Sequence, residues 1–64
     1  MLVNGAEIGL GGTRTLKAFL EHEGYCIDRL AVEKNGSIVP KERYGSETLA
    51  DGDRLEIIAF VGGG

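Results

Sequence analysis

The chain ends on the sequence FVGGG, residues 60–64, and its last group is the α-carboxylate of Gly64. Two interpretations fit three consecutive glycines at this position. The first is a frayed terminus without a function, since chain ends are often unstructured. The second is a thin arm that carries the Gly64 carboxylate into a narrow site on a partner, because glycine has no side chain and adopts backbone conformations closed to other residues. The chemistry would then be acyl transfer, in which the carboxylate first receives a better leaving group and is then attacked by a nucleophile.

Few other side chains have the type or spacing that chemistry requires. Cys26 is the single cysteine and His22 the single histidine, so together they do not make a convincing zinc site, and we predict no metal site. We expect Cys26 to be a small buried hydrophobe with a structural role. Asp51 and Asp53 flank Gly52 and are better explained as turn formers than as a pair of acid–base carboxylates. The chain is therefore predicted not to be an enzyme.

The composition describes a small acidic domain. The chain has 64 residues, of which 42% are hydrophobic and 27% charged, and seven basic against ten acidic residues give a net charge of −3. A chain of this length forms one domain with little room for a deep cleft, so it suits a carrier or a binding module. No cluster of Lys and Arg offers a surface for nucleic acid. No apolar stretch reaches transmembrane length, no signal peptide is visible and the cysteine is alone, so we expect a cytoplasmic protein without a membrane partner.

Two Asn-Gly pairs predict two hairpins that frame the rest of the fold. Asn4-Gly5 and Asn35-Gly36 each separate two strand-like runs. Asn-Gly is the strongest short-range hairpin signal, because both turn residues need a positive φ. We place the strands of the first hairpin at residues 1–4 and 6–10, and the second hairpin ends at Pro40.

A single helix is predicted between the hairpins, over the sequence TRTLKAFLEHEGY at residues 13–25. Thr13 or Thr15 can cap its first turn, and Gly24 is placed to end it in the left-handed conformation. Its apolar face consists of three residues at helical spacing: Leu16, Phe19 and Leu20. One helix laid across one small sheet makes the chain an α+β protein.

The last strand matters most for the tail, because the glycines follow it directly. A tight turn at residues 51–53 precedes it, and period-two alternation divides its side chains into two sets. We expect the first set to face the helix: Leu55, Ile57, Ala59 and Val61. The opposite set contains Ile58 and Phe60, two large apolar groups on a face that should be polar. They are either a partner surface or are covered by the polar loop at residues 41–49.

These segments together resemble the ThiS-type sulfur carrier proteins of thiamine biosynthesis, small ubiquitin-like proteins of the β-grasp fold. The likeness lies in Asn4-Gly5, in the central AVEKNGSIVPKERY and in the closing LADGDRLEIIAFVGGG, whose order and spacing match the family along the whole chain. The resemblance implies a mixed sheet of four to five strands with one main helix packed on one face. Residues 1–61 would form the β-grasp domain and residues 62–64 a flexible C-terminal tail. The family pattern ends on a pair of glycines, and here Gly62 precedes that pair.

The resemblance also implies a function. An adenylating enzyme related to those that activate ubiquitin would use ATP on the Gly64 carboxylate, and a persulfide donor would supply the sulfur that leaves a thiocarboxylate there. Gly62 and Gly63 would thread the active site of that enzyme, and Ile58 and Phe60 would contact a partner. The thiocarboxylate would then donate its sulfur to a thiazole synthase. The chain itself would bind no cofactor.

Three alternatives stay open at this point. The same chemistry could serve molybdopterin synthesis or another pathway. The same activated tail could also make the chain a protein modifier that is conjugated to lysines. The chain could instead be a ubiquitin-like interaction module with an inert tail, in which Ile58 and Phe60 bind a groove of another protein.

Overall fold

The computed structural model of the chain describes residues 1–60, which form five strands and one α-helix. In chain order these elements are β1 (Leu2–Val3), β2 (Ala6–Glu7), α1 (Leu16–His22), β3 (Leu30–Lys34), β4 (Ser37–Ile38) and β5 (Arg54–Ala59). Two 3-10 turns, Ile27–Arg29 and Lys41–Arg43, lie before β3 and after β4. Among residues 1–60, no helix has the length and apolarity needed to cross a lipid bilayer. The predicted glycine tail and the predicted domain boundary at residue 61 lie outside the described residues.

The five strands form one mixed sheet with β5 at its centre. The strand order is β2-β1-β5-β3-β4, and β1 and β5 run parallel while the other neighbours are antiparallel. The predicted α+β class with a mixed sheet and one helix is confirmed. The strand that precedes the tail is therefore the strand that joins the two hairpins.

Both Asn-Gly turns have the backbone that the sequence requires. The φ angles are 50° and 86° at Asn4 and Gly5, and 53° and 88° at Asn35 and Gly36. These are the two left-handed positions of a two-residue hairpin turn, and glycine or asparagine meets them at the lowest steric cost. The predicted hairpins are confirmed, with Val3 opposite Ala6 and Lys34 opposite Ser37.

The first hairpin is shorter than predicted. β2 ends at Glu7 rather than at residue 10, although the Ile8 N–H still donates to the Met1 carbonyl at 2.8 Å. The side chains of Ile8 and Leu10 pack against the core instead of continuing the strand. The chain leaves the sheet at this point because it must turn towards the helix.

The helix begins and ends as its sequence indicates. The Ala18 N–H donates to the Thr15 side chain at 3.2 Å, so Thr15 is the N-cap. Gly24, with φ 85°, follows the last turn in the left-handed conformation that ends many helices. The apolar face predicted for this helix is completely buried: Leu16, Phe19 and Leu20.

The core lies between α1 and one face of the sheet. Its buried hydrophobic residues are Met1, Val3, Leu16, Phe19, Leu20, Leu30, Val32, Val39, Tyr44, Leu55 and Ile57. Tyr44 is unexpected, since its loop is polar in sequence, yet it is only 2% exposed. Burial raises the pKa of Tyr44, and a hydrogen bond with the Val32 backbone opposes that rise. The loop at residues 41–49 is therefore held to the core by its single aromatic side chain.

Two predictions about burial are wrong. Ala59 alternates towards the helix side but is exposed, because β1 ends at Val3 opposite Leu55 and leaves Ala59 a neighbour only on β3. Cys26 is exposed rather than buried. Its neighbours Tyr25 and Ile27 pack against the core, so alternation along this extended segment turns the Cys26 side chain to solvent.

Candidate functional site

The C-terminal end of β5 and the residue that follows it carry two large hydrophobic side chains at the surface. Ile58 is 54% exposed and Phe60 is 56% exposed. Alternation places both on the face opposite α1, as the sequence predicts. We call these two residues the β5 patch. Its role as a partner surface stays a prediction.

The loop at residues 41–49 does not cover the β5 patch. The Lys17 N–H donates to the Tyr44 carbonyl at 2.9 Å, and the Leu16 N–H donates to the Glu47 carbonyl at 2.8 Å. These contacts hold the loop against the start of α1, on the other side of the sheet. Of the two interpretations of Ile58 and Phe60, coverage by this loop is therefore wrong.

The surroundings of the β5 patch are apolar at one end and acidic at the other. Ala31 on β3 lies opposite Ile58, and the next pair on this face is Glu33 opposite Glu56. Like charges in direct cross-strand register repel each other, so this pair gains from a partner of opposite charge. Arg54, two residues before Glu56, is exposed on the same face, so the charges beyond the acidic pair are mixed, and the face suits a partner that offers an apolar pocket.

A third large hydrophobic residue on this face was missed from the sequence. Ile38 is 74% exposed, and it lies opposite Glu33, which places it on the same face as Ile58. The signal was available, since a two-residue turn at Asn35-Gly36 fixes the register of the hairpin. Counting back from that turn sets Ile38 beside Glu33.

The backbone holds the end of the described chain on the sheet. The Phe60 N–H donates to the Arg29 carbonyl at 2.7 Å, one residue beyond the end of β5. The ladder between β3 and β5 thus extends as far as Phe60. Gly62, Gly63 and Gly64, the residues predicted to react or to thread a partner, lie outside the described residues.

The side chain of Asn4 binds the other edge of β5. Its Nδ2 group donates to the Ile57 carbonyl at 3.1 Å, and the Ile57 N–H donates to its Oδ1 at 2.7 Å. The sequence predicts Asn4 only as a turn residue. No local pattern reveals this contact, because the two residues are 53 positions apart.

Asn35 makes a corresponding contact at the other end of β5. Its Oδ1 accepts from the Arg54 N–H at 2.9 Å, and its Nδ2 donates to Asp53 Oδ1 at 3.0 Å. The Asn35 hydrogen bond is the main cause that lowers the pKa of Asp53, and the Ala50 N–H and the charge of Lys34 act in the same direction. Asp53 is a turn former, as predicted.

The remaining candidates do not form a site. His22 is exposed, with Nδ1 at 3.3 Å from Glu23 Oε2, and Cys26 is exposed elsewhere. Within residues 1–60, no group of three or more His, Cys, Asp or Glu side chains is arranged to hold a metal ion. A groove of about 560 Å³ lies beside α1, with Lys17 and Glu21 on one wall and Lys41 on the other, and it contains none of the predicted site residues.

Comparisons with known proteins identify a family for the chain. The model of the ThiS family matches residues 1–64. A thiazole synthase of Paramagnetospirillum magneticum is 42% identical over 64 residues, which are 100% of this chain and 20% of that protein. The sulfur carrier protein ThiS of Bacillus subtilis is 54% identical over 33 residues, which are 52% of this chain and 50% of that protein.

A solved structure has the same fold. The crystal structure of the thiamine biosynthesis protein ThiS from Geobacter metallireducens superposes with a TM-score of 0.79 at 29% identity, covering 98% of this chain and 96% of that one. The chain and this protein have nearly the same length, whereas the chain spans only a fifth of the thiazole synthase.

Proposed function

The chain belongs to the ThiS family, and from this membership we propose that it is a sulfur carrier of thiamine biosynthesis that reacts through the carboxylate of Gly64. The observation that carries the proposal is the family match over the whole chain, with the glycines of the sequence beginning two residues after the exposed Phe60. The proposal requires Gly64 to be the last residue of the mature protein, because only a free α-carboxylate can react.

The first step is adenylation by an activating enzyme related to those that activate ubiquitin. A carboxylate oxygen of Gly64 attacks the α-phosphorus of ATP, pyrophosphate leaves, and an acyl adenylate forms. This step is needed because a free carboxylate has no adequate leaving group, whereas the adenylate can release AMP. ATP is a substrate of the activating enzyme and is not bound by this chain.

The second step brings in sulfur. The terminal sulfur of a persulfide attacks the Gly64 carbonyl and AMP leaves, so that an acyl disulfide forms between carrier and donor. A thiol then cleaves the S–S bond, which leaves the thiocarboxylate on Gly64 and a disulfide on the donor side. The carrier gains one sulfur in place of one oxygen and acts as a co-substrate whose thiocarboxylate is used up when the sulfur is donated, so it is not itself the enzyme.

The glycines and the β5 patch have different roles in docking. Gly62 and Gly63 add no side-chain bulk, so the tail can enter a narrow active site. Ordering a glycine segment costs conformational entropy, about 1–2 kcal/mol per residue for the backbone. Burying Ile58 and Phe60 against a partner offsets this cost, since a fully buried aliphatic or aromatic side chain contributes about 1.5–3 kcal/mol.

The acceptor of the sulfur is proposed to be a thiazole synthase. The relative of that name contains a segment similar to this whole chain within a protein about five times as long. Joining two modules in one polypeptide keeps them at a high effective concentration. The fusion is useful if the carrier-like segment must contact the rest of the thiazole synthase. We take it as support for binding between this separate chain and a thiazole synthase.

The pathway is proposed to be the thiamine type rather than the molybdopterin type. Both named single-domain relatives, from Bacillus subtilis and Geobacter metallireducens, are ThiS proteins, and the second is described as a thiamine biosynthesis protein. The chain also matches the Geobacter protein over 96% of its length.

The proposal is tested by the exchange of labelled pyrophosphate into ATP, catalysed by an activating enzyme that accepts the Bacillus subtilis carrier. The wild-type chain should support exchange, and removal of Gly64 should abolish it without a change in melting temperature. A control with one alanine added after Gly64 keeps every glycine but displaces the carboxylate, and it should also be inactive. Exchange by the shortened chain at the wild-type rate, or none by the wild type while the Bacillus carrier is active, would contradict the proposal.

A further inference from the structure

We propose that Asn4 is a positioning residue for this reaction, whose carboxamide holds the end of β5 from which the tail is presented. The assignment rests on the proposed function, because it concerns the delivery of Gly64 to an activating enzyme. It goes beyond the family likeness, in which Asn4-Gly5 is only a hairpin turn.

The carboxamide of Asn4 takes the place of a missing peptide group. Along the parallel ladder, the Leu2 N–H donates to the Asp53 carbonyl at 3.0 Å and the Asn4 N–H donates to the Leu55 carbonyl at 2.9 Å. The chain then turns away into β2, with φ 50° at Asn4. The next position of the ladder, at Ile57, is filled by the Asn4 side chain, which both donates and accepts there. A primary amide offers the same donor and acceptor as a peptide bond, so β1 is extended by one position.

Ile57 is where the burial of β5 ends. It is 7% exposed, whereas the residues that follow it in the described chain, residues 58–60, are all exposed. A segment with few buried apolar contacts depends on its hydrogen bonds to resist local opening. On the β3 side those bonds reach Phe60, and on the β1 side the last one within residues 1–60 is that of Asn4. Opening that begins at the tail therefore meets Asn4 before it reaches the core.

This position links Asn4 to docking rather than to the chemical steps. A strand end that is already ordered loses less conformational entropy when Ile58 and Phe60 bind a partner. The carbonyl of Gly64 is seven residues beyond Ile57 in the sequence, so Asn4 does not take part in bond formation. Loss of its carboxamide should raise the KM for the carrier and leave kcat largely unchanged.

Asn35 supplies a matched control within the same chain. It is also the first residue of an Asn-Gly turn, with φ 53°, and its carboxamide also makes two hydrogen bonds at β5. Those bonds lie at Asp53 and Arg54, at the end of β5 that is far from the tail in sequence. Any effect that follows from losing a turn asparagine in general should be equal at the two sites.

The test compares Asn4→Gly with Asn35→Gly, because glycine accepts the positive φ of both turns and removes only the carboxamide. Asn4→Asp is a third variant that keeps the side-chain size and one acceptor but loses the donor to the Ile57 carbonyl. The first measurement is backbone amide exchange by NMR on the free protein. Asn4→Gly should speed exchange at Ile57 and Phe60 by about tenfold and leave Leu20 unchanged, whereas Asn35→Gly should act at Arg54.

The second measurement is pyrophosphate exchange as a function of carrier concentration. Asn4→Gly and Asn4→Asp should raise KM by about tenfold with kcat within twofold of wild type, and Asn35→Gly should leave both within twofold. Equal KM values for the two glycine variants, or amide exchange that rises at Leu20 as much as at Phe60, would overturn the assignment of Asn4. A wild-type carrier that supports no exchange would overturn the proposed function and the functional part of this proposal with it, while the NMR comparison would still decide whether Asn4 holds the strand end.

Discussion

The two ends of β5 are held in different ways. At Arg54 the strand begins inside a network of side chains, in which Asn35 and Lys34 both contact Asp53 and Asn35 also accepts from the Arg54 N–H. At Ala59 the strand ends among exposed side chains, with one side-chain amide and one backbone bond as its last contacts. The first end fixes the strand in the domain, and the second is the end that we propose meets a partner.

The network at the first end is centred on Lys34. Its ammonium group donates to Glu47 Oε2 at 3.0 Å and to the Thr48 carbonyl at 2.7 Å, and it lies 3.8 Å from Asp53 Oδ2. The three charged side chains are each less than a fifth exposed. Partly buried ion pairs of this kind stabilise only if all partners remain in place. The end of β3, the loop before β5 and the turn at residues 50–53 are thereby held together.

Within residues 1–60 no such network is found at the second end, which exposes apolar surface instead. Ile58 and Phe60 lie outside the buried core and are each more than half exposed, as expected of residues that can meet a partner. The contrast predicts that substitutions at the first end change the stability and that substitutions at the second end change the binding.

The largest effect is expected at Phe60. Phe60→Asp should weaken binding to the activating enzyme by about a hundredfold, because an aromatic anchor is replaced by a charge that must be desolvated. Its melting temperature should stay close to that of wild type. Titration calorimetry against the activating enzyme measures the affinity, and a thermal melt measures the melting temperature.

Ile38→Asp is the control for this prediction, since Ile38 is exposed on the same face but on the edge strand β4. It should bind like the wild type. An equal loss of affinity in both variants would mean that the whole face binds nonspecifically and that the end of β5 near the tail is not a specific docking site. Unfolding of Phe60→Asp would mean that Phe60 is needed for stability, so that both ends of β5 fix the strand in the domain.

A smaller effect, on stability, is expected at Lys34. Lys34→Met should lower the free energy of unfolding by about 2 kcal/mol, because the carboxylates of Glu47 and Asp53 lose their counter-charge in a partly buried setting. That is a large share of the roughly 3–5 kcal/mol available to a domain of this size. Urea denaturation measures the free energy of unfolding, and Lys17→Met on the exposed face of α1 is the control. A Lys34→Met carrier that is as stable as the control would show that the network is not what fixes this end.

The smallest effect is expected at Asp53, and it depends on pH. Because hydrogen bonding lowers the pKa of Asp53 below its ordinary value of 3.8 in the folded state, its stabilising contribution is complete above that value and is lost as the pH falls through the lower, folded-state pKa. Asp53→Asn should therefore lower the stability at neutral pH by about 1 kcal/mol, and the difference from wild type should shrink in acid.

Thermal melts from neutral pH to strongly acidic pH measure this difference. Asp51→Asn, at an exposed position of the same turn, should leave the stability unchanged throughout. A difference between Asp53→Asn and wild type that grows in acid would have the wrong sign and would contradict the role of Asp53 in the network.

Much of the fold was predictable because local rules agree with each other. Asn4-Gly5 and Asn35-Gly36 have the positive φ angles that their residue types favour, and the helix is capped by Thr15 and ended at Gly24. Alternation along the last strand correctly separated Leu55 and Ile57 from Ile58 and Phe60. These features depend on neighbours within a few residues, where the physical constraints are strongest.

Several of the features that failed or were missed depend on distant contacts. Tyr44 could not be recognised as a core residue, since only the packed sheet and helix provide its pocket, and so the position of the loop at residues 41–49 stayed open. The carboxamide of Asn4 meets Ile57 across 53 positions of sequence. Cys26 was placed in the core from its residue type, whereas the burial of its neighbours Tyr25 and Ile27 decides its orientation.

An intact mass measurement is the most direct test of whether Gly64 carries sulfur. The chain is incubated with ATP, a persulfide donor, a thiol reductant and an activating enzyme that thiocarboxylates the Bacillus subtilis carrier, which serves as the control. We expect a mass gain that corresponds to the replacement of one oxygen by sulfur, located at Gly64 by fragmentation and absent when Gly64 is removed. An unchanged mass while the control carrier is converted, or a gain located at Cys26 instead, would contradict this expectation.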